Sequence, residues 1–267
     1  MSATTVVKPT APRAVRPITP IPLSRLTSIE LRKMFDTRSG FWLMTSIAIT
    51  ALLATGAVVI FAPDDELKYS TFAAAVGFPM SVILPMIAIL SVTSEWSQRS
   101  GLTTFTLVPH RNRVLLAKGV ATVGVAVISM VLAMVIGVLG NVVGSALAGA
   151  PTHWDSSATE LIYIVFGNVL GLLIGYMLGL LIRNSPGAIV AYFVYSLVLP
   201  TLSELLSANT SWFKDVRPWV DFNYAQGALF GGDMSGEQWA NLAVCGLIWL
   251  ILPLTAGVAL AMRSEVK

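Results

Sequence analysis

Residues 91–120 read SVTSEWSQRSGLTTFTLVPHRNRVLLAKGV. Long apolar runs flank this stretch, yet it holds Glu95, four cations (Arg99, Arg111, Arg113, Lys118) and the helix-breaking Pro109. Four cations are too costly to leave among lipid tails, so the stretch marks a return to water between two membrane crossings. Beyond it, 55% of the 267 residues are hydrophobic and 12% charged, with a mean hydropathy of +0.76. That is far from the composition of a soluble domain. The pattern predicts an all-α polytopic membrane protein with six transmembrane helices, at Phe41 to Ala62, Phe72 to Thr93, Val114 to Leu139, Thr159 to Ile182, Gly187 to Ser207 and Asn241 to Met262. The third run stays uncharged toward Ala150, so that span is free to continue.

Orientation follows from the cations. Of the 17 Lys and Arg, all but Lys68, Lys214 and Arg217 fall on the side of the termini and of the 91–120 insert. The positive-inside rule then makes both termini and the insert cytoplasmic. Asp64, Asp65, Glu66, Asp155, Asp215, Asp221, Asp233 and Glu237 all lie in the expected outer loops. The net charge of +3 is thus a record of topology, with no basic domain to bind nucleic acid. Residues 1–22 hold five prolines and no acid, which predicts a disordered cytoplasmic tail ahead of a single membrane domain over 23–267. The first apolar run begins only after some forty residues and carries no small-residue cleavage pattern, so it reads as a retained span.

Few groups are placed for chemistry. His110 and His153 fall on opposite sides of the expected membrane and cannot share a metal, and the single Cys245 lies inside the last span, where packing is its expected role. There is no G-x-x-x-x-G-K-[ST] loop, no G-x-S-x-G elbow and no H-E-x-x-H helix. No catalytic residue, metal or cofactor is expected on the chain itself. Glu204 is the clearest ionisable group within a span, near its outer end. It raises the alternative of an ion-coupled secondary transporter, against simple interfacial placement. Glu160 and Lys118 sit where they can reach an interface.

Within the insert, Ser94 is a plausible helix cap, Gly101 permits a turn, and Leu102, Phe105 and Leu107 supply an apolar side before Pro109. So short an element does not fold alone; its apolar side must rest on the membrane surface or on another protein.

Here the chain resembles a known family, the membrane subunits of type-2 ATP-binding-cassette transporters. Members carry a glutamate after the second span, an aromatic, a basic residue and glycine, then Leu-Pro, then arginines and a lysine opening the third span. The matching residues are Glu95, Trp96, Arg99, Gly101, Leu107, Pro109, Arg111, Arg113 and Lys118. Upstream, LTSIELRKMFDTRSGFWLM (26–44) is similar to the family's pre-membrane segment. Val108 separates Leu107 from Pro109, and Gly101-Leu102 stands where Gly-Thr is usual.

The resemblance implies a cytoplasmic coupling helix in the insert that docks on a separate ATPase subunit, and an interfacial helix before the first span that also touches it. Glu95, Trp96, Arg99, Gly101, Leu102, Phe105, Arg111 and Arg113, with Glu30, Arg32 and Lys33, are the docking residues it implies. For Glu95 that means docking or anchoring the coupling helix, against a plain solvated carboxylate at a helix start. Segment 23–38 fits an interfacial helix: Leu23, Leu26, Leu31 and Met34 share one side, with Arg25, Ser28, Arg32 and Asp36 opposite. ATP and Mg would belong to the partner ATPase. Two permease subunits, alike or unlike, would pair through the first and fifth spans, in the plasma (inner) membrane and in contact with its lipid.

Glycines 167, 171, 175 and 179 line one face of the fourth span, a surface for close helix packing that is expected to be internal. Asn141 and Asn168 are expected to bond across neighbouring helices. Ser185 is expected to cap the fifth span, with Pro186 at its first position. Its Tyr192, Tyr195 and Leu199, together with Glu204, are candidates to line a translocation path. The aromatic-rich connection 208–240 suits the outer interface, and the resemblance implies a re-entrant segment there. The expected function is the membrane subunit of an ATP-driven exporter, with an amphipathic or hydrophobic cargo.

Overall fold

A computed structural model describes residues 21–36, 38–97 and 111–263. Among them the chain is helical, with no strand and one isolated bridge between Lys68 and His153. Six helices are long and apolar enough to cross a membrane. Helix α1 (Leu23–Asp36) precedes them. The spans are α2 (Arg38–Phe61), α3 (Tyr69–Ser97), α4 (Arg111–Ala148), α5 (Ala158–Ile182), α6 (Ser185–Asn209) and, after two short helices α7 (Ser211–Val220) and α8 (Phe222–Gly227), α9 (Gly236–Arg263).

At 38 residues α4 is about 57 Å long, nearly twice the ~30 Å hydrocarbon thickness. It starts before Val114 and runs past Leu139, because Asn141 and Ser145 are small, uncharged and buried. Helix α5 opens on a capping box in which Ser157 and Glu160 bond each other's backbone N–H, and closes at Arg183 in the left-handed region (φ 55°). The cap of α6 is Asn184, one residue before the expected Ser185. Its side chain accepts from Gly187 N at 2.9 Å, and Ser185 instead shares a 2.7 Å hydroxyl contact with Thr93.

Helices α3 and α5 form the centre. One core packs Ile47, Met80, Leu84, Met130, Leu172 and Leu180 between α2, α3, α4 and α5. A second packs Ile89, Ile174, Tyr192, Phe222, Leu229 and Cys245 between α3, α5, α6, α8 and α9. The glycine face of α5 is internal, as expected. A methyl on Gly175 would lie 2.7 Å from the Pro85 carbonyl oxygen, and one on Gly167 would lie 2.7 Å from the Phe230 ring. Absent side chains let α3 and α5 touch along their backbones. Proline adds a second device. Pro85 has no N–H for the Ser81 carbonyl four residues earlier, and the Tyr192 hydroxyl donates to that carbonyl at 2.7 Å, so a helix break becomes a tie to α6.

Among the described residues, neither Asn141 nor Asn168 bonds across to another span. Asn141 donates to the His153 carbonyl in the α4–α5 connection (3.0 Å), and Asn168 donates to Ile164 in its own helix (2.9 Å). The connection was the nearer acceptor in one case and the preceding turn in the other. Cys245 is buried and its thiol donates weakly to the Pro218 carbonyl at 3.5 Å.

Candidate functional site

Four charges converge where α1 meets the ends of α3 and α4. Helix α1 buries a stripe at positions 23, 26, 27, 30, 31 and 34, the i, i+3, i+4 spacing of one face. Glu30 sits in the middle of that stripe at 5% exposure. It takes Lys118, in the second turn of α4, as an ion-pair and hydrogen-bond partner, and Lys33 at 2.7 Å. Glu95, near the end of α3 and equally buried, lies 3.3 Å from the Lys118 ammonium and 3.7 Å from Lys33. Those contacts lack hydrogen-bond geometry, and Glu95 Oε1 has no hydrogen-bond partner among the described residues. Among the described residues the two lysines hold Glu95 Oε1 by charge, whereas they hold Glu30 by charge and hydrogen bonds together.

The cluster is neutral as a set, two carboxylates against two ammonium groups, which is what permits its burial. Burial pushes the Glu30 carboxyl up, but Lys118 and Lys33 outweigh it and hold the group below its ordinary value of 4.5. A carboxyl depressed in the folded state stabilises in full above its unfolded value and loses that contribution as pH falls through the folded value. Thermal unfolding of wild type and Glu30→Gln in detergent should thus differ at pH 7. The gap should narrow steadily below about pH 4.5.

Around the cluster, the Tyr176 hydroxyl of α5 donates to the Leu115 carbonyl at 2.6 Å and its ring covers Gly119 at 3.6 Å from where a methyl would be. Trp96 and Met34 pack on the first core. Of the other sequence-predicted docking residues, Arg32 is exposed and Arg113 half-buried. Arg111 opens α4. Arg99, Gly101, Leu102 and Phe105 lie outside the described residues. Ser94 does not cap a helix: α3 continues through it to Ser97, and its hydroxyl donates to the Ser91 carbonyl at 3.1 Å. Glu95 consequently stands at a helix end and faces inward. On the open side of α1, Arg25, Ser28, Ile29, Arg32, Lys33 and Asp36 border a groove of about 440 Å³, with Ile29 and Phe35 about half exposed.

The opposite end holds the residues considered for a path. Tyr195 and Leu199 face a cavity of about 290 Å³ together with Trp249, whose ring lies 6.5 Å from that of Tyr195. Both aromatics belong to π turns, Val194–Val198 in α6 and Leu247–Ile251 in α9. Each π turn is followed by a Leu-Pro pair, Leu199-Pro200 and Leu252-Pro253. Widening the turn accommodates a proline ring that would clash with the carbonyl before it. The carbonyl that Pro200 cannot satisfy, that of Tyr195, accepts from Asn223 at 3.3 Å, and Trp249 Nε1 donates to Val220 at 2.7 Å. The Tyr195 hydroxyl is buried without a partner among the described residues. Tyr192 is committed to α3, and Glu204 points away, 70% exposed and paired with Arg217 at 2.6 Å. Arg217 also contacts Asp221 and Ser207 and lies 4.5 Å over the Tyr224 ring, pinning α7 to α6.

The Glu30 to Lys118 pairing, Arg217 and the π turns went unread in the sequence. Pro200 and Pro253 inside two spans were the available signal for the last, although Leu84-Pro85 stands in α3 without a π turn. Among the described residues no group of His, Cys, Asp or Glu is placed to hold a metal ion. No protein-family profile and no curated protein matches the chain.

Proposed function

We propose that this chain is the membrane-spanning subunit of a type-2 ATP-binding-cassette exporter, a permease driven by ATP hydrolysed on a separate subunit. The observation that carries the reading is the buried charge cluster. It joins α1 to the two helix ends from which residues 98–110 depart, so force on either element reaches α3 and α4 together. In this reading α1 is the interfacial helix, the expected coupling element lies outside the described residues, α7 and α8 form the re-entrant outer segment, and both termini are cytoplasmic in the plasma (inner) membrane. The buried Glu30 and Glu95 anchor the lever, and the exposed Arg32 beside the half-exposed Ile29 and Phe35 meets the ATPase. ATP and Mg stay on that partner. A second permease subunit joins along α2 and α6, of which α6 is the least enclosed span, with 11% of its apolar window buried. Closure of the ATPases would then tilt the spans and open a path past Tyr195 and Leu199 for an amphipathic cargo.

The test is purification of the full chain in mild detergent from its own membranes, with co-purifying chains identified and ATP turnover measured. A nucleotide-binding chain should co-purify. Arg32→Glu should weaken its association about tenfold with an unchanged thermal midpoint, because Arg32 is exposed and its side chain makes no hydrogen bond or ion pair among the described residues. Glu95→Lys should lose both stability and ATPase stimulation. Transport by the chain alone in liposomes, without ATP, would sink the proposal. If that transport also depended on Glu204, the secondary-carrier reading would replace it.

A further inference from the structure

A cleft of about 580 Å³ opens on the side opposite α1, between the first half of α3, the start of α5 and the turn after α8. Its volume lies within the roughly 300–1,000 Å³ typical of small-molecule sites. The α3 wall presents Ala73, Ala74, Gly77 and Ser81 with Phe78 as its one large side chain, while Ile164 and Phe230 face it. From Ser70 to Ser81 the wall runs about 16 Å along α3. This is a largely apolar groove that begins where the helices begin.

The mouth is polar and carries one sign of charge. Glu160 is the sole ionisable residue lining the cleft, and it pairs with no cation among the described residues. Its Oε2 accepts from Ser157 N at 3.2 Å. Gly232, at φ 89°, leaves the space before Oε1 clear, since a methyl there would lie 3.3 Å from that oxygen and 2.8 Å from the Glu160 Cγ. Beside it, Asp155 accepts from the Ser70 backbone and hydroxyl at 2.9 and 2.5 Å, bonds that hold its carboxylate toward Ser70. The carboxylate of Glu160 is the charge left to an incoming group.

We infer that this cleft binds a single-chain amphipathic cation, its ammonium group against Glu160 and its hydrocarbon tail along Ala74, Gly77 and Ser81. The charge complementarity chooses the head, and a volume of about 580 Å³ along an apolar wall suits one hydrocarbon tail. The inference stands on the cleft alone and does not depend on the exporter reading.

Two substitutions separate it from the architecture. Glu160→Gln removes the charge but keeps the capping box, because glutamine serves equally at that position. Gly77→Leu projects an isobutyl group into the groove, and nothing lies within 4 Å of its first carbon. The protein in phosphatidylcholine nanodiscs is labelled with a diazirine-bearing dodecyltrimethylammonium and mapped by peptide mass spectrometry, with unlabelled dodecyltrimethylammonium or laurate as competitor. Label should concentrate on 73–81 and 229–232, and the cation should compete better than laurate. Glu160→Gln should raise the half-competing concentration of the cation about tenfold and leave that of laurate unchanged. Gly77→Leu should erase label from both segments with helicity and elution volume preserved. Label spread evenly over the lipid-facing helices, equal competition by laurate, or an unchanged Glu160→Gln would each overturn the assignment.

Discussion

Replacing Lys118 with methionine is expected to destabilise the protein by about 3–5 kcal/mol, the range for breaking a buried ion pair by removing one partner. Methionine matches the length of the stem and keeps its packing, so the loss reports charge. Without the ammonium, Glu30 retains only Lys33 at 2.7 Å, a side chain 46% exposed, and Glu95 keeps that same lysine at 3.7 Å. Two carboxylates would then share one half-solvated cation. Unfolding in detergent, followed by tryptophan fluorescence, measures the change. Adding Glu30→Gln and Glu95→Gln to Lys118→Met should recover most of the loss, because the damage lies in uncompensated burial more than in missing attraction. A single substitution costing under about 1 kcal/mol would place the cluster in the class of surface ion pairs and remove its role as a rigid joint.

The second large effect belongs to Gly175. Gly175→Ala should destabilise by about 1–3 kcal/mol, since the added methyl meets the Pro85 carbonyl oxygen at 2.7 Å and the Pro85 Cβ at 2.9 Å. Backbone cannot rotate aside as a side-chain tip can, so α3 and α5 must separate. Gly171→Ala, one turn earlier, meets only Gln226 at 3.5 Å and Tyr192 at 3.9 Å. That substitution should be neutral or stabilise by up to about 1 kcal/mol through helix propensity. The pair shares one helix face and one chemistry, and thermal midpoints of opposite sign would show that contact with α3 decides the difference.

The spans were legible because a crossing helix must be apolar along its whole length, which composition reports directly. Gly40–Phe61 and Ala158–Ile182 fall within a residue of the sequence expectation. The internal glycine face was legible for a related reason: a row of missing side chains has meaning only against a neighbour. Partner choice was not. Lys118 lies 88 residues from Glu30, and either residue alone reads as an interfacial charge. The inward face of α1 shows the same limit. Its apolar members Leu23, Leu26, Leu31 and Met34 announced a buried side, but a glutamate in the centre of that stripe reads as solvent-facing until a lysine is found opposite. Asn141 and Asn168 donate locally, where lipid made an interhelical bond the natural expectation, and their amide oxygens are buried without a partner among the described residues. The cap of α6 shifted by one because Asn184 and Ser185 are both capping residues, and only backbone geometry chooses between them.

The widened turns before Pro200 and Pro253 also change how the two helices are counted. Each holds one residue more than an α-helix of the same rise, which rotates everything beyond it by about 100°. A helical wheel drawn straight through Ser185–Asn209 therefore assigns the last eleven residues to the wrong sides. Ser203 reaches Asp221, and Glu204 reaches Arg217, in that rotated frame. For lining up this span with any other, the segments before and after Val194–Val198 are separate registers, and a one-residue gap between them is geometry rather than divergence.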